Sequence, residues 1–291
     1  MIKKIYNKLV LHRWSIAFAE NSLDEVLNGK KIQLKFVKHD FKRRWFADPF
    51  ILDYDDEKII LLVEDYSDSD KKGKISRLIV NRKTMELEDV KIILELDSHL
   101  SFPAIKRENG RIFIYPENGS GRGLVLYEYN METDTCQEIK SISSQPFADA
   151  IMTEIDGEDY LFSINGANPH NNVLEVWNRK ETEEQYRLIQ EIGFKEAIAR
   201  NAGDFFFYRS NLFRPAQECN YMYGHSISLQ RINKKDDVFN MYETTRIQPP
   251  GWNRFGIHTF NVYKDLIVLD VKEFRHPWIA FFLFKVRNIF K

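Results

Sequence analysis

The chain has 291 residues, with 42 Lys and Arg against 43 Asp and Glu for a formal net charge of −1, so no global field favours a nucleic-acid partner. Only two cysteines are present, Cys136 and Cys219, which excludes a disulfide framework and a cysteine-rich metal site; both are read as buried thiols. A hydrophobic fraction of 43% with 14% aromatic residues is ample for a core, and the length suits one large all-β domain or two ordinary ones.

Taken in chain order, Met1 to Lys8 is basic, and the apolar run after it is interrupted by His12 and Arg13 with no small-residue cleavage site, which argues against a secretory signal. Ser22 and Glu25 stand at capping-box spacing and predict a short helix over Ser22 to Asn28. Lys31 to Lys38 alternates apolar and polar residues like a strand. Then comes the phrase that the chain repeats, Trp45-Phe46-Ala47-Asp48-Pro49-Phe50, with a second copy at Phe147-Ala148-Asp149-Ala150-Ile151 and a degenerate one at Ser101-Phe102-Pro103-Ala104-Ile105. Each copy leads through a turn and an apolar run to a polar residue 16 positions on: Asp48 to Glu64, Ser101 to Glu117, Asp149 to Asn165. A strand opening at the first residue and its antiparallel partner closing at the second would bring the two side by side. A third strand follows each hairpin, at Lys74 to Val80, Leu124 to Tyr129 and Val173 to Trp177.

A fourth unit starts near Arg200-Asn201-Ala202-Gly203, where Asn201 to Gln217 is again 16, and a fifth at Gly256-Ile257-His258-Thr259-Phe260-Asn261 with the strand Leu266 to Val271. The openings Asp48, Ser101, Asp149, Asn201 and His258 are 53, 48, 52 and 57 residues apart. That period predicts an all-β fold, a five-bladed β-propeller, with a two-sheet sandwich as the alternative. The expected division is an N-terminal segment 1–44, a propeller 45–273 and a basic aromatic tail 274–291. Because the fifth unit is short of strands, residues 31 to 38 are expected to close the ring. In the tail, Trp278 to Phe284 is shorter than the about 20 residues that span a bilayer, but Lys285, Arg287 and Lys291 follow it, so peripheral membrane contact through the tail is the alternative to simple packing.

In a propeller the entry ends of the innermost strands face one mouth. This places Asp48, Glu64, Ser101, Glu117, Asp149, Asn165, Asn201, Gln217 and His258 around one funnel, with His99, Arg200, Arg214 and His225 nearby. Phe46-Ala47-Asp48-Pro49, His99-Leu100-Ser101-Phe102-Pro103, Tyr115-Pro116-Glu117, Phe147-Ala148-Asp149, Arg200-Asn201-Ala202-Gly203, Arg214-Pro215-Ala216-Gln217, Tyr223-Gly224-His225 and His258-Thr259-Phe260-Asn261 resemble the N-terminal domain of plant glucosamine inositolphosphorylceramide transferases. That domain also occurs in bacterial proteins tied to surface polysaccharide assembly, and the match covers about residues 40 to 272. More distantly the layout resembles the five-bladed propellers of glycoside hydrolase family 43. That resemblance implies Asp48 as general base and Asp149 as the second Asp that orients the site. It departs at the general acid, for which Glu64, Glu117 and Glu218 compete.

Asp48 before proline has an ordinary role as a turn or cap residue, but the recurrence of Phe-Ala-Asp at Asp149 favours a site role. Paired acids across a sugar ring are what glycosyl chemistry uses, so the catalytic candidates are Asp48, Asp149, Glu64 and Glu117. Glu64 and Glu117 have a structural alternative, ion pairs with Arg200 or Arg214 between blades. The substrate-binding candidates are Trp45 and Trp252 as sugar platforms, Arg200 and Arg214 as clamps on a donor phosphate, and His99, Ser101, Asn165, Asn201, Gln217, His225 and His258. The spacing calls for no cofactor; a structural calcium held in part by His258 is kept as an alternative.

The expected function is a carbohydrate-active enzyme of the glycosyltransferase type in cell-surface polysaccharide or glycolipid biosynthesis. It would act on a sugar or glycan with a nucleotide-sugar donor, in the cytoplasm at the inner face of the membrane. A family 43-like hydrolase and a non-catalytic glycan-binding propeller are the alternatives.

Overall fold

A computed structural model of the protein describes residues 12–119, 121–170, 172–180, 183, 185–251, 254–274, 276–279 and 282–283. Its strands fall into five sheets arranged as the blades of a propeller. Blade 1 is β3 (Arg44–Tyr54), β4 (Lys58–Ser67), β5 (Lys72–Asn81) and β6 (Leu87–Leu94), and blade 2 is β7 (Ser101–Glu108), β8 (Arg111–Glu117), β9 (Leu124–Asn130) and β10 (Thr135–Ser143). Blade 3 is β11 (Phe147–Ile155), β12 (Glu158–Asn165), β13 (Val173–Arg179) and β14 (Arg187–Gly193), and blade 4 is β15 (Phe206–Tyr208), β16 (Asn211–Glu218), β17 (Ser226–Lys235) and β18 (Val238–Ile247). All four are antiparallel meanders.

Blade 5 closes the ring with both ends of the chain. β19 (Arg254–Gly256) and β20 (Phe260–Tyr263) share the inner edge of β21 (Leu266–Phe274), whose outer edge takes β1 (His12–Ala19), and β1 in turn takes β2 (Leu34–Phe36). The expected closing strand at 31–38 is thus only the outermost one. The main closure is β1, paired from His12↔Phe274 to Phe18↔Val268. Between β1 and β2 lies the predicted helix, α1 (Leu23–Leu27), with Ser22 and Glu25 forming the reciprocal capping box.

The strands pack because their inward residues are apolar and interlock between blades. Phe50 meets Phe102 edge-on between blades 1 and 2, Phe162 meets Phe239 between blades 3 and 4, and Ile16 and Phe18 of β1 bury with Phe46 and Val268 between blades 5 and 1. Among the described residues no helix is long and apolar enough to cross a membrane.

Candidate functional site

The repeated motif sits at a β-bulge. Register skips between Ala47 and Phe50, between Ser101 and Ala104, and between Ala148 and Ile151. At the three bulges Asp48, Phe102 and Asp149 take left-handed φ of 49°, 47° and 50°. Non-glycine residues avoid that region at a cost of about 1–2 kcal/mol each, so the ring must hold them there. Blade-to-blade hydrogen bonds do so: the N–H of Asp48 donates to Asp270 of blade 5 (3.0 Å), the N–H of Phe102 to Asp48 of blade 1 (3.0 Å), and the N–H of Asp149 to Glu117 of blade 2 (2.9 Å). The carboxylates that meet at the mouth therefore also connect neighbouring blades.

By bulge position Phe102, and not Ser101, is the counterpart of Asp48 and Asp149. Glu64 and Glu117 lie across from the residues just before the bulge, Ala47 and Ser101, so the interval of 16 counted from Asp48 and from Ser101 did not start at equivalent positions. In blade 3 the ladder is one residue out, and Asn165 pairs with Phe147. Its side-chain oxygen accepts the N–H of Ala167 in its own turn (3.0 Å).

Asp48 is buried and heavily engaged. One oxygen accepts the Thr259 hydroxyl (2.8 Å) and lies 3.5 Å from His258 Nε2; the other accepts the Phe102 N–H. Burial pushes its pKa up to about 7, His258 opposing and Glu64, Asp270 and Asp149 adding to the rise. His258 Nδ1 stands 2.6 Å from Asp270, whose two oxygens also accept the N–H groups of Asp48, His258 and Thr259. Burial alone would lower the His258 pKa, but Asp270 and Asp48 together raise it, while Asp270 is held below the usual carboxylate range despite its burial. Trp14 of β1 stacks on the imidazole at 3.8 Å and 8°.

Asp48, His258 and Asp270 bring three ligating atoms within 4.8 Å of one another. Asp270 already accepts four donors, which leaves it no lone pair for a cation; the donor set fits a hydrogen-bonded Asp–His–Asp chain better than a calcium cage.

Across the mouth, Asp149 accepts Arg200 Nε (2.6 Å) and, more weakly, Gln217 Nε2 (3.4 Å). Glu117 uses one oxygen for the Asp149 N–H, and its other oxygen makes no bond to the described residues. Burial raises its pKa to about 7, Asp149 adding to the rise and Arg200 opposing it. Glu64 pairs with His99 Nε2 (3.3 Å), whose Nδ1 accepts the Gly73 N–H (2.9 Å); a β-carbon on Gly73 would come 2.9 Å from that ring. The bond to Glu64 holds His99 above the usual histidine range. The alternative pairing of Glu64 and Glu117 with Arg200 or Arg214 is not found among the described residues: Glu64 takes His99, and Arg200 takes Asp149.

Three further assignments change. Arg214 is wholly buried and donates to Asn201, Gln230 and the carbonyls of Ile198 and Ala199, so it is a bracket inside blade 4 and not a phosphate clamp. Asn201 is equally buried, bridging Arg214 to the carbonyls of Asp149 and Phe162. Glu218 is taken up by His225 (2.7 Å), the Ser226 hydroxyl and the Asn220 N–H, which removes it as general acid and occupies His225 as well.

Trp45 does stand at the rim, stacked on Tyr66 at 4.6 Å. Ser101 faces Glu117 across β7 and β8, and Gln217 keeps a buried side-chain oxygen with no donor among the described residues. Trp252 lies outside the described residues.

Several mouth residues escape sequence reasoning. Tyr223 lies over the site from the β16–β17 loop, its ring under the Arg200 guanidinium (5.2 Å) and edge-on to His258 (5.4 Å). Gly224 allows this approach, since a β-carbon there would sit 2.6 Å from His258. Lys272 is buried between Trp14 and Tyr223, bonded to the Tyr223 carbonyl, and burial pushes it down to about 8. Asp270 had a visible signal, a lone acid in the apolar run Leu266 to Val271, and Tyr223 stood in the motif Tyr223-Gly224-His225; Trp14 had none.

The family model described as glucosamine inositolphosphorylceramide transferase 1, N-terminal, matches residues 31–262. Glucosamine inositolphosphorylceramide transferase 1 of Arabidopsis thaliana is 27% identical over 242 residues, covering 78% of this chain and 31% of the relative. The protein of the same name from Oryza sativa subsp. indica is 26% identical over 208 residues, covering 67% and 27%. The chain thus spans less than a third of the length of these relatives. In fold it is similar to an exo-β-1,3-galactanase from Phanerochaete chrysosporium (TM-score 0.59, 6% identity, 82% of this chain and 58% of that one). It is also similar to a glycoside hydrolase family 43 enzyme from Xanthomonas citri complexed with xylotriose (TM-score 0.54, 12% identity, 78% and 86%). The matched span takes in all three bulges and most of the chain, and the chain belongs to the family of glucosamine inositolphosphorylceramide transferase 1 N-terminal domains.

Proposed function

We propose that the propeller mouth catalyses glycosyl transfer in surface polysaccharide or glycolipid synthesis, with Glu117 as the carboxylate that exchanges a proton with substrate. The observation that carries this reading is the oxygen of Glu117 that makes no bond among the described residues, near Asp149 and Arg200, on a carboxyl that titrates near neutrality. In this mechanism Glu117 accepts the proton of the acceptor hydroxyl as that oxygen bonds to the sugar C1 and the C1–O bond to the leaving group breaks. Arg200 spends only Nε on Asp149, so its terminal nitrogens suit the charge left on a departing phosphate. Asp48, supported by His258, supplies negative charge to the oxocarbenium-like transition state. The names of the plant relatives favour transfer to a lipid acceptor.

The shared fold favours hydrolysis as a second reading: Glu117 would then give its proton to the leaving oxygen and Asp48 would activate water. The test is incubation of the protein with a panel of nucleotide sugars plus lipid acceptors and, separately, with aryl glycosides. Sugar transfer that is lost in Glu117→Gln supports the proposal. Release of the aryl group supports hydrolysis, and binding of glycans with no turnover by either route leaves the lectin.

A further inference from the structure

We infer that the blade 5 sector of the mouth face docks on an anionic lipid bilayer, so that the site opens toward the membrane. Strand direction sets which parts of the chain reach the mouth face. The β20–β21 turn lies at the end of the propeller away from the mouth, where Asp265 bonds Tyr54 beside the β3–β4 turn. From there β21 climbs past Asp270 and Lys272 at the site, so the chain leaves β21 at Phe274 on the mouth face. His12 pairs with Phe274, so the chain also enters β1 on that face. Both flanks of the propeller sequence therefore attach beside His258.

What is attached there has one character. Residues 277–279 and 282–283 are helical, and Trp278, Ile279 and Phe282 are 70%, 40% and 66% exposed. The sequence flanks carry Arg275, Lys285, Arg287 and Lys291 on one side and Lys3, Lys4 and Lys8 on the other, with no acid after Glu273 or before Glu20. On the blade 1 side, the segment between β2 and β3 exposes Phe41 with Lys42 and Arg43; on the blade 4 side, the β16–β17 loop exposes Tyr221. Separate aromatic tips among cations match the headgroup zone of an anionic leaflet, where rings insert and ammonium and guanidinium groups meet lipid phosphates. They do not form the continuous apolar core of a protein interface.

The test is co-sedimentation of the full chain with vesicles of phosphatidylcholine with and without phosphatidylglycerol, at low and high salt. Binding should favour the anionic vesicles by about tenfold or more and weaken with salt. Trp278→Ala/Phe282→Ala and Lys42→Glu/Arg43→Glu should each reduce it by about tenfold while the melting temperature holds. Equal affinity for both vesicles, or variants that bind like the parent, overturns the inference. So does a dimer in sedimentation equilibrium that Trp278→Ala/Phe282→Ala converts to monomer without any vesicle binding, since the face would then belong to a second copy. No sugar enters the assay, and Glu117→Gln should bind vesicles like the parent, so the docking surface and the proposed reaction fail separately.

Discussion

Asp48 and Glu117 both titrate near neutrality, yet they are not equally useful as probes. Asp48 accepts from Phe102 and Thr259 while its own N–H reaches Asp270, so Asp48→Asn disturbs ring connection and chemistry together. Glu117→Gln keeps an oxygen to accept the Asp149 N–H and removes only the ionisable group. If Glu117 exchanges the proton, kcat should fall by about 10²-fold or more with ligand affinity nearly unchanged, and the limb of the pH–rate profile near 7 should become shallower as one of its two ionisations, that of Glu117, is lost and that of Asp48 stays; an unchanged profile excludes it. The sequence made the acids legible because they recur with a motif. It could not show which of them the chain consumes for itself: Asn201 and Arg214 look like site residues in a list of polar groups, and only burial reveals them as a bracket that holds β16 to the blade 3 bulge.

At the level of elements, the repeat was readable because blades 1 to 3 rebuild the same bulge, and a bulge that needs a left-handed residue leaves a sequence trace at Asp48, Phe102 and Asp149. The ring closure was readable only in part: the shortage of strands in the fifth unit pointed to the N-terminal segment, but to residues 31–38 and not to β1. β1 and β21 are partners from opposite ends of the chain, and periodicity within a window carries no information about such pairing. Yet β1 matters to the site, since it alone delivers Trp14 to the face of His258. Trp14→Ala would open a cavity between His258 and Lys272 and cost about 3–5 kcal/mol. Beyond that loss, the freed imidazole should show a shifted NMR titration. Trp14→Phe should restore most of the stability and the titration, and a variant whose His258 titrates unchanged would show that β1 only closes the ring.

Across the whole molecule the buried titrating groups pull stability in one direction over a defined pH window. Asp48, Glu117 and Asp204 have pKa values raised to about 7, chiefly by burial, from ordinary values of 3.8, 4.5 and 3.8. Between those limits the unfolded chain has released protons that the folded chain still holds, so stability falls as pH rises from about 4 to about 7. His258 and His99, also raised, add to the same fall as pH passes from the ordinary histidine value up through their folded values. On the acid side the sign reverses. Asp134 is held down at about 2 by Arg77, and Asp270 is lowered by His258 once its burial is outweighed; their contribution is present above the ordinary aspartate value and is lost as pH drops toward their folded values. The melting temperature should therefore peak on the acid side of neutrality and decline through pH 7. Asp204 isolates one contributor, because it lies outside the coupled Asp48–His258–Asp270 group and its oxygen accepts only the Phe205 N–H, a bond that Asn can keep. Asp204→Asn should melt close to the parent near pH 4 and higher than it at pH 8 by on the order of 10 °C, taking about 4 kcal/mol for the rise of Asp204 and about 2–4 °C per kcal/mol for a chain of this size. Parallel melting curves for the two proteins from pH 5 to 8 would mean that Asp204 is already ionised in the folded ring.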